Sequence, residues 1–111
     1  MSSWEVRELR ELDAEIAQKC FGHTVIREKR PGGEMFINDT STILPHYSTD
    51  IRDAWDVVNH MGLFVFVGIE RNGGVHEGGW RCNMAGYAGG QTAMEAICRA
   101  AIMAVNIGIG Q

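Results

Sequence analysis

The sequence predicts an α+β fold, a three-layer α/β/α sandwich in which helices cover both faces of a mainly antiparallel sheet of about four strands. Three observations carry that expectation. Apolar residues recur at helical spacing around residues 3–20, 51–61 and 93–106; β-branched or alternating apolar runs lie between them; and glycine-bearing or polar clusters separate the runs. The order is α-β-β-α-β-β-α. A chain of 111 residues suits one domain, 1–111, built on one core.

Ser2 and Glu5 have capping-box spacing, and Val6, Leu9, Leu12 and Ile16 form an apolar stripe, so the first helix covers roughly residues 3–20. Gly22 suits a left-handed helix cap. His23–Glu28, with Thr24, Val25 and Ile26 in a row, reads as a strand; Arg30–Gly33 is a turn and Met35–Ile37 a brief second strand. Pro45 resists helix, and Ser48, Thr49 and Asp50 each offer an oxygen to the free N–H groups of a helix beginning at Ile51. In that helix Ile51, Ala54, Trp55, Val58 and Met61 share a face, which places Trp55 in the core, while Arg52, Asp53, Asp56 and Asn59 take the other side.

Leu63–Ile69 is apolar on both alternating faces and reads as the central strand, covered on both sides. After a polar loop over Glu70–Gly79, Trp80–Ala85 reads as a hairpin partner with Trp80, Cys82 and Met84 on one face and Arg81 and Asn83 on the other. Gly86–Gly90 is expected to be a turn. Thr92 and Glu95 then form a second capping box for a helix through Ala93, Ile97, Ala100, Ala101, Ala104 and Val105, broken only by Glu95, Arg99 and Asn106. Its nearly all-round apolar surface needs covering by the sheet or by a second subunit, which suggests a homodimer.

The chain is 45% hydrophobic and 22% charged, with neither a long apolar run nor a charged-then-apolar start, so no membrane insertion or secretion is expected and the cytoplasm is the expected location. Ten basic residues against fourteen acidic ones give a net charge of −4, which removes the generic attraction to duplex nucleic acid. Arg27–Arg30, the densest basic run, is interrupted by Glu28. Cys20, Cys82 and Cys98 suit neither a disulfide framework nor a zinc motif, and the histidines at 23, 46, 60 and 76 lack metal-ligand spacing. No metal or cofactor is expected.

PHYSTDIRDAWDVV at residues 45–58, the final TAMEAICRAAIMAV and the first-helix ending AQKCFG together resemble the phage ABA sandwich domain, a family of small bacteriophage proteins. The resemblance spans nearly the whole chain. It implies a three-layer α/β/α sandwich encoded by a phage or prophage and acting in the host cytoplasm. Family members are mostly of unassigned function, so it carries over no catalytic motif.

Several residues are candidates for chemistry. Gly89, Gly90 and Thr92 belong to a glycine-bearing turn at a helix N-terminus, where backbone N–H groups and the helix dipole favour a phosphate or carboxylate, although neither a Walker loop nor GxGxxG is present. Tyr47 and Ser48, beside His46 and Asp50, could stack on a base and bond a ribose, against the simpler reading of Tyr47 as a hydrophobic staple and its neighbours as caps. Trp80 with Arg81 makes a ligand or interface pair. Arg99 interrupts an apolar helix and must reach solvent, pair with a carboxylate or meet an anion; an ion pair is favoured. The cysteines sit where a small hydrophobe serves equally well, and Asp50, Asp53 and Asp56 read as a solvated acidic face. The expected function is therefore a phage-encoded, non-enzymatic accessory role: binding and sequestering a nucleotide-like small molecule such as a host-defence signal. A module that inhibits a host enzyme is the first alternative, and a small-molecule enzyme the second.

Overall fold

Helix α1 (Ser3–Lys19) stops where Gly22 takes a φ of +72°, which lets the His23 N–H donate back to the Ala17 carbonyl at 2.9 Å. The computed structural model describes residues 3–39, 42–72 and 79–109. The Ser2–Glu5 capping pair, the side chains of Trp4 and Val6, and most of the 70–79 loop with His76 lie outside what is described. The buried face of α1 runs through Asp13, Ala14, Ile16, Ala17 and Cys20. Of the expected stripe Ile16 is central, whereas Leu9 and Leu12 are only half-buried.

Strands β1 (Val25–Arg30) and β2 (Gly33–Asn38) form an antiparallel hairpin in the register Ile26↔Ile37 and Glu28↔Met35. Both begin or end within two residues of the sequence expectation. Phe36 points into the core, with the Arg10 and Arg27 guanidinium groups 5.6 and 5.4 Å from its ring centroid. Arg27 also donates to Glu11, and Arg30 to Glu28, so the arginines of the basic run are paired.

Helix α2 (Ile51–Met61) has the expected bounds, and among its three possible caps Asp50 is the one used: its side chain accepts from the Arg52 N–H at 2.8 Å. The placement of Trp55 in the core is corrected. Trp55 is 51% exposed and Ile51 52%, while Ala54, Val57 and Met61 are buried. Residues 54, 57, 58 and 61 make the docked stripe, and Trp55 stands about 100° round the helix from Ala54. The small Ala54 side chain lets α2 approach α3, and a Trp on that line would hold the helices apart.

Leu63–Ile69 is corrected as well. The N–H groups of Leu63, Phe64 and Val65 donate to the His60 and Met61 carbonyls, so this run spends its donors on the end of α2 instead of on a strand ladder. Strand β3 starts only at Gly68 (Gly68–Asn72), and Leu63 and Phe66 are 79% and 80% exposed. β3 pairs with β4 (Gly79–Asn83), whose inward Cys82 and outward Arg81 follow the predicted alternation. The stretch expected to be a turn, 86–90, is mostly a fifth strand, β5 (Tyr87–Gly90), which pairs Cys82↔Ala88 and Arg81↔Gly89. The turn itself is tighter, at residues 84–86, where the Met84 N–H donates to the Gly86 carbonyl.

Among the described residues the strands number five and divide into two antiparallel sheets, β1-β2 and β3-β4-β5, with three helices: an α+β fold. Helix α3 (Ala93–Asn106) is its hub. It touches all three strands of the larger sheet and both other helices, and it buries Ala96, Ile97, Cys98, Ala100, Ala101, Ala104 and Val105. Most of its apolar surface is covered by the chain's own elements, while Met103 stays 48% exposed. Among the described residues no helix is long and apolar enough to cross a membrane.

A polar cleft where three elements meet

Asp13 is fully buried on α1, and the segment leading into α2 is tied down around it. Its carboxylate accepts from Arg10 Nη1 at 2.7 Å and from the Ser48 backbone N–H at 2.7 Å. Arg10 also donates to the carbonyls of Leu44 (2.9 Å) and Pro45 (3.1 Å), and the Ser48 hydroxyl donates to the Leu9 carbonyl at 3.1 Å. Burial pushes the Asp13 carboxyl above the usual carboxylate range, opposed by the bonds from Ser48 and Arg10. Asp53 accepts from the His46 N–H at 2.8 Å, so one member of the expected acidic face holds the same segment.

These bonds set Ser48 and Thr49 beside Glu8 and Leu9 of α1 and opposite the start of α3. Together with Gln91, Thr92, Glu95 and Arg99 they line a cleft of about 340 Å³. On the α3 side Thr92 caps the helix, its Oγ1 accepting from the Glu95 N–H at 3.1 Å, while Glu95 Oε2 reaches one residue further back than a capping box requires and accepts from the Gln91 N–H at 3.2 Å. Arg99 meets a carboxylate, donating to Glu95 Oε1 at 2.9 and 3.1 Å. The lining therefore presents a guanidinium, two carboxylates, hydroxyls and an amide. Such a set suits a polar ligand that carries hydrogen-bond donors as well as an anionic group, since Glu8 and Glu95 would repel a bare anion.

Of the eight residues singled out in the sequence, Ser48, Thr92 and Arg99 converge on this cleft. Gly90 lies just outside it, in a close approach of β5 to α3: a Cβ there would stand 2.7 Å from the Ala96 nitrogen. Gly89 is exposed on the outer side of β5. Tyr47 is buried and stacks on Phe21 at 5.5 Å, and burial pushes its hydroxyl up to about 12. Trp80 is half-buried against the core, and Arg81, one residue on, faces the opposite side of β4, bonded to Glu70 and 4.7 Å over the Tyr87 ring. Glu8, Leu9, Thr49, Gln91 and Glu95 were missed as lining residues. Glu95 was visible as a capping partner, but nothing in the local pattern distinguishes Glu8 from other surface acids.

Cys20, Cys82 and Cys98 are free and buried. Burial pushes the Cys20 and Cys82 thiols up to about 11, and Cys98 further in the same direction. Because the folded values lie above the ordinary 9.0, the stability they contribute is complete below pH 9 and is lost as pH rises through 11. Urea midpoints measured from pH 8 upward should therefore fall above pH 9, and a thiol reagent at pH 8 should label the native chain only after denaturation. A midpoint that is flat to pH 11 would contradict this.

The model of the phage ABA sandwich domain matches residues 14–102. A 2.0 Å crystal structure of a phage protein from Bacillus cereus ATCC 14579 is similar in fold, with a TM-score of 0.63 and 24% identity over 87% of this chain and 86% of that one. No curated protein matches the chain. The match covers α1 from Ala14, both sheets, α2 and most of α3; it takes in Ser48, Thr49, Gln91, Thr92, Glu95 and Arg99 of the cleft, while Glu8 and Leu9 lie ahead of it. The chain therefore belongs to the phage ABA sandwich domain family.

Proposed function

We propose that this phage-family protein is a non-catalytic binder of a small, nucleotide-like molecule, held in the cleft between α1, the start of α2 and the start of α3. The supporting observation is the convergence of Ser48, Thr92 and Arg99, from separate elements, on one cleft with Glu8 and Glu95. Its volume of about 340 Å³ falls at the lower end of small-ligand sites. Glu8 suits a sugar hydroxyl or base amine as donor, and Arg99 with the first turn of α3 suits a phosphate once Glu95 turns aside.

Binding without chemistry is favoured because the obvious nucleophiles are disarmed. The thiols are buried and held protonated, Asp50 is engaged as a helix cap, and Asp53 accepts from a backbone N–H. Sequestration in the cytoplasm of an infected host is the role we assign to it, a compartment in which free thiols persist.

Native mass spectrometry of the purified chain mixed with small molecules extracted from phage-infected cells tests this. A bound mass released unchanged is expected, and Arg99→Ala should weaken its capture by about tenfold, the loss of one charge-assisted contact, with the fold retained. A chemically altered mass would indicate catalysis. Capture that is equal in wild type and Arg99→Ala would place the ligand elsewhere.

A further inference from the structure

The cleft already holds an anionic group, and the chain itself supplies it. Glu95 Oε1 accepts from Arg99 Nε and Nη2 at 3.1 and 2.9 Å, and Glu95 Oε2 accepts from the Gln91 backbone N–H at 3.2 Å. Three donors of the lining thus converge on one carboxylate, whose side chain is only 17% exposed, while Arg99 keeps 43% of its own in solvent. Glu8, the other carboxylate of the lining, is exposed and bonded to no described residue. Two carboxylates against one guanidinium leave the cleft with a net charge of −1, so a small anion meets repulsion as well as occupied donors.

We propose that Glu95 is a displaceable internal competitor for the ligand's anionic group. Its carboxylate fills the place of that group and yields it to a ligand that has a second hold on the cleft. The inference rests on the small-molecule reading of this cleft and adds what the cleft rejects: free phosphate and other single small anions.

The carboxylate can leave without disturbing the fold. The root of the side chain is fixed, because the Glu95 Cβ stands 2.9 Å from where a Gly90 Cβ would be, at the close approach of β5. Beyond Cβ, rotation about the side chain's own bonds carries the carboxylate out toward solvent. Thr92 caps the Glu95 N–H on its own account, so the first turn of α3 keeps its cap when the carboxylate departs. That departure frees one edge of the Arg99 guanidinium together with the Gln91 N–H, a donor set that suits a phosphate oxygen pair. A lone anion only replaces the bonds it breaks. A ligand that also reaches the α1 and α2 walls adds contacts that the carboxylate never made, and those decide the exchange.

Titration of the isotope-labelled full chain with inorganic phosphate, followed by NMR at the Gln91 and Thr92 amides and the Arg99 Nε–H, is the test. Glu95→Gln keeps the shape and an oxygen for the Gln91 N–H but removes the charge that holds Arg99, and it is expected to bind phosphate about tenfold more tightly than wild type. Glu8→Gln removes the same charge from the same cleft without freeing a donor, and it should gain distinctly less. Adding Arg99→Ala to Glu95→Gln should abolish the gain. Equal gains in Glu95→Gln and Glu8→Gln would reduce Glu95 to a share of the general field and overturn the proposal. So would a wild type that binds phosphate as tightly as Glu95→Gln, or a Glu95→Gln variant that binds none. These results leave the small-molecule reading of the cleft standing; that reading falls instead if Arg99→Ala captures the small molecule as well as wild type does.

Discussion

Asp13→Ala is expected to lower the stability of the fold by about 3–5 kcal/mol, the usual cost of removing one partner of a buried ion pair. For a chain of this size that corresponds to a melting temperature lower by more than about 12 °C. The Arg10 side chain is only 14% exposed, and without Asp13 its charge would be left with neutral partners, the Leu44 and Pro45 carbonyls and the His46 and Phe36 rings. The Ser48 N–H would also lose its acceptor within the core. Asp13→Asn keeps the shape and an oxygen for that N–H, so it should cost distinctly less. Chemical denaturation of the two variants gives the ordering, and equal losses would show that the charge, not the shape, holds the segment. On the proposed function, the alanine variant should also capture the small molecule poorly, since Asp13 positions Ser48.

Gly90→Ala is expected to cost about 2–3 kcal/mol, at the upper end of overpacking penalties. The new methyl would stand 2.7 Å from the Ala96 nitrogen, 2.9 Å from the Glu95 Cβ and 3.0 Å from the Glu95 carbonyl carbon, mostly backbone that cannot swing aside. Strand β5 and the first turn of α3 must separate to admit it. Gly89→Ala is the control: its Cβ would meet the Trp80 carbonyl at 3.6 Å, an ordinary contact. Calorimetry should find the Gly89 variant within about 1 kcal/mol of wild type, and if Gly90→Ala proves equally mild, the close approach is not rigid.

The helices were readable in the sequence because caps and periodicity are local: Gly22, Asp50 and Thr92 all act where their residue types suggest. The two hairpins and the class followed from alternation and turn residues. What escaped was set by tertiary contacts. Counting every apolar residue of α2 alike put Trp55 inward, whereas the shape of α3 selects the Ala54–Val57–Met61 side. Leu63–Ile69 is strand-like in composition, but the end of α2 takes its N–H groups first. The glycines of YAGG argued for a turn, yet one of them is there because α3 crosses the strand too closely for a side chain. Asp13 could not be seen at all, since a charged residue among Leu12, Ala14 and Glu15 reads as surface until its partners at 44–48 are brought to it. The site divided in the same way. Ser48, Thr92 and Arg99 stand out beside helix starts or on an apolar helix, while Glu8 becomes a lining residue only through the docking of α1.

Helix α3 is the last element described, and α1, α2 and the larger sheet all lean on it. Its contacts with α1 join residues 3–19 to residues 93–106, so the core closes through loops nearly as long as the chain. Until α3 has left the ribosome, the inner faces of β3-β4-β5 and the stripes of α1 and α2 have nothing to rest on. The packing of α1, α2 and the larger sheet is therefore expected to be a late event, slower than in a bundle of sequential hairpins, and a translation arrest before residue 93 should leave these elements without their shared support.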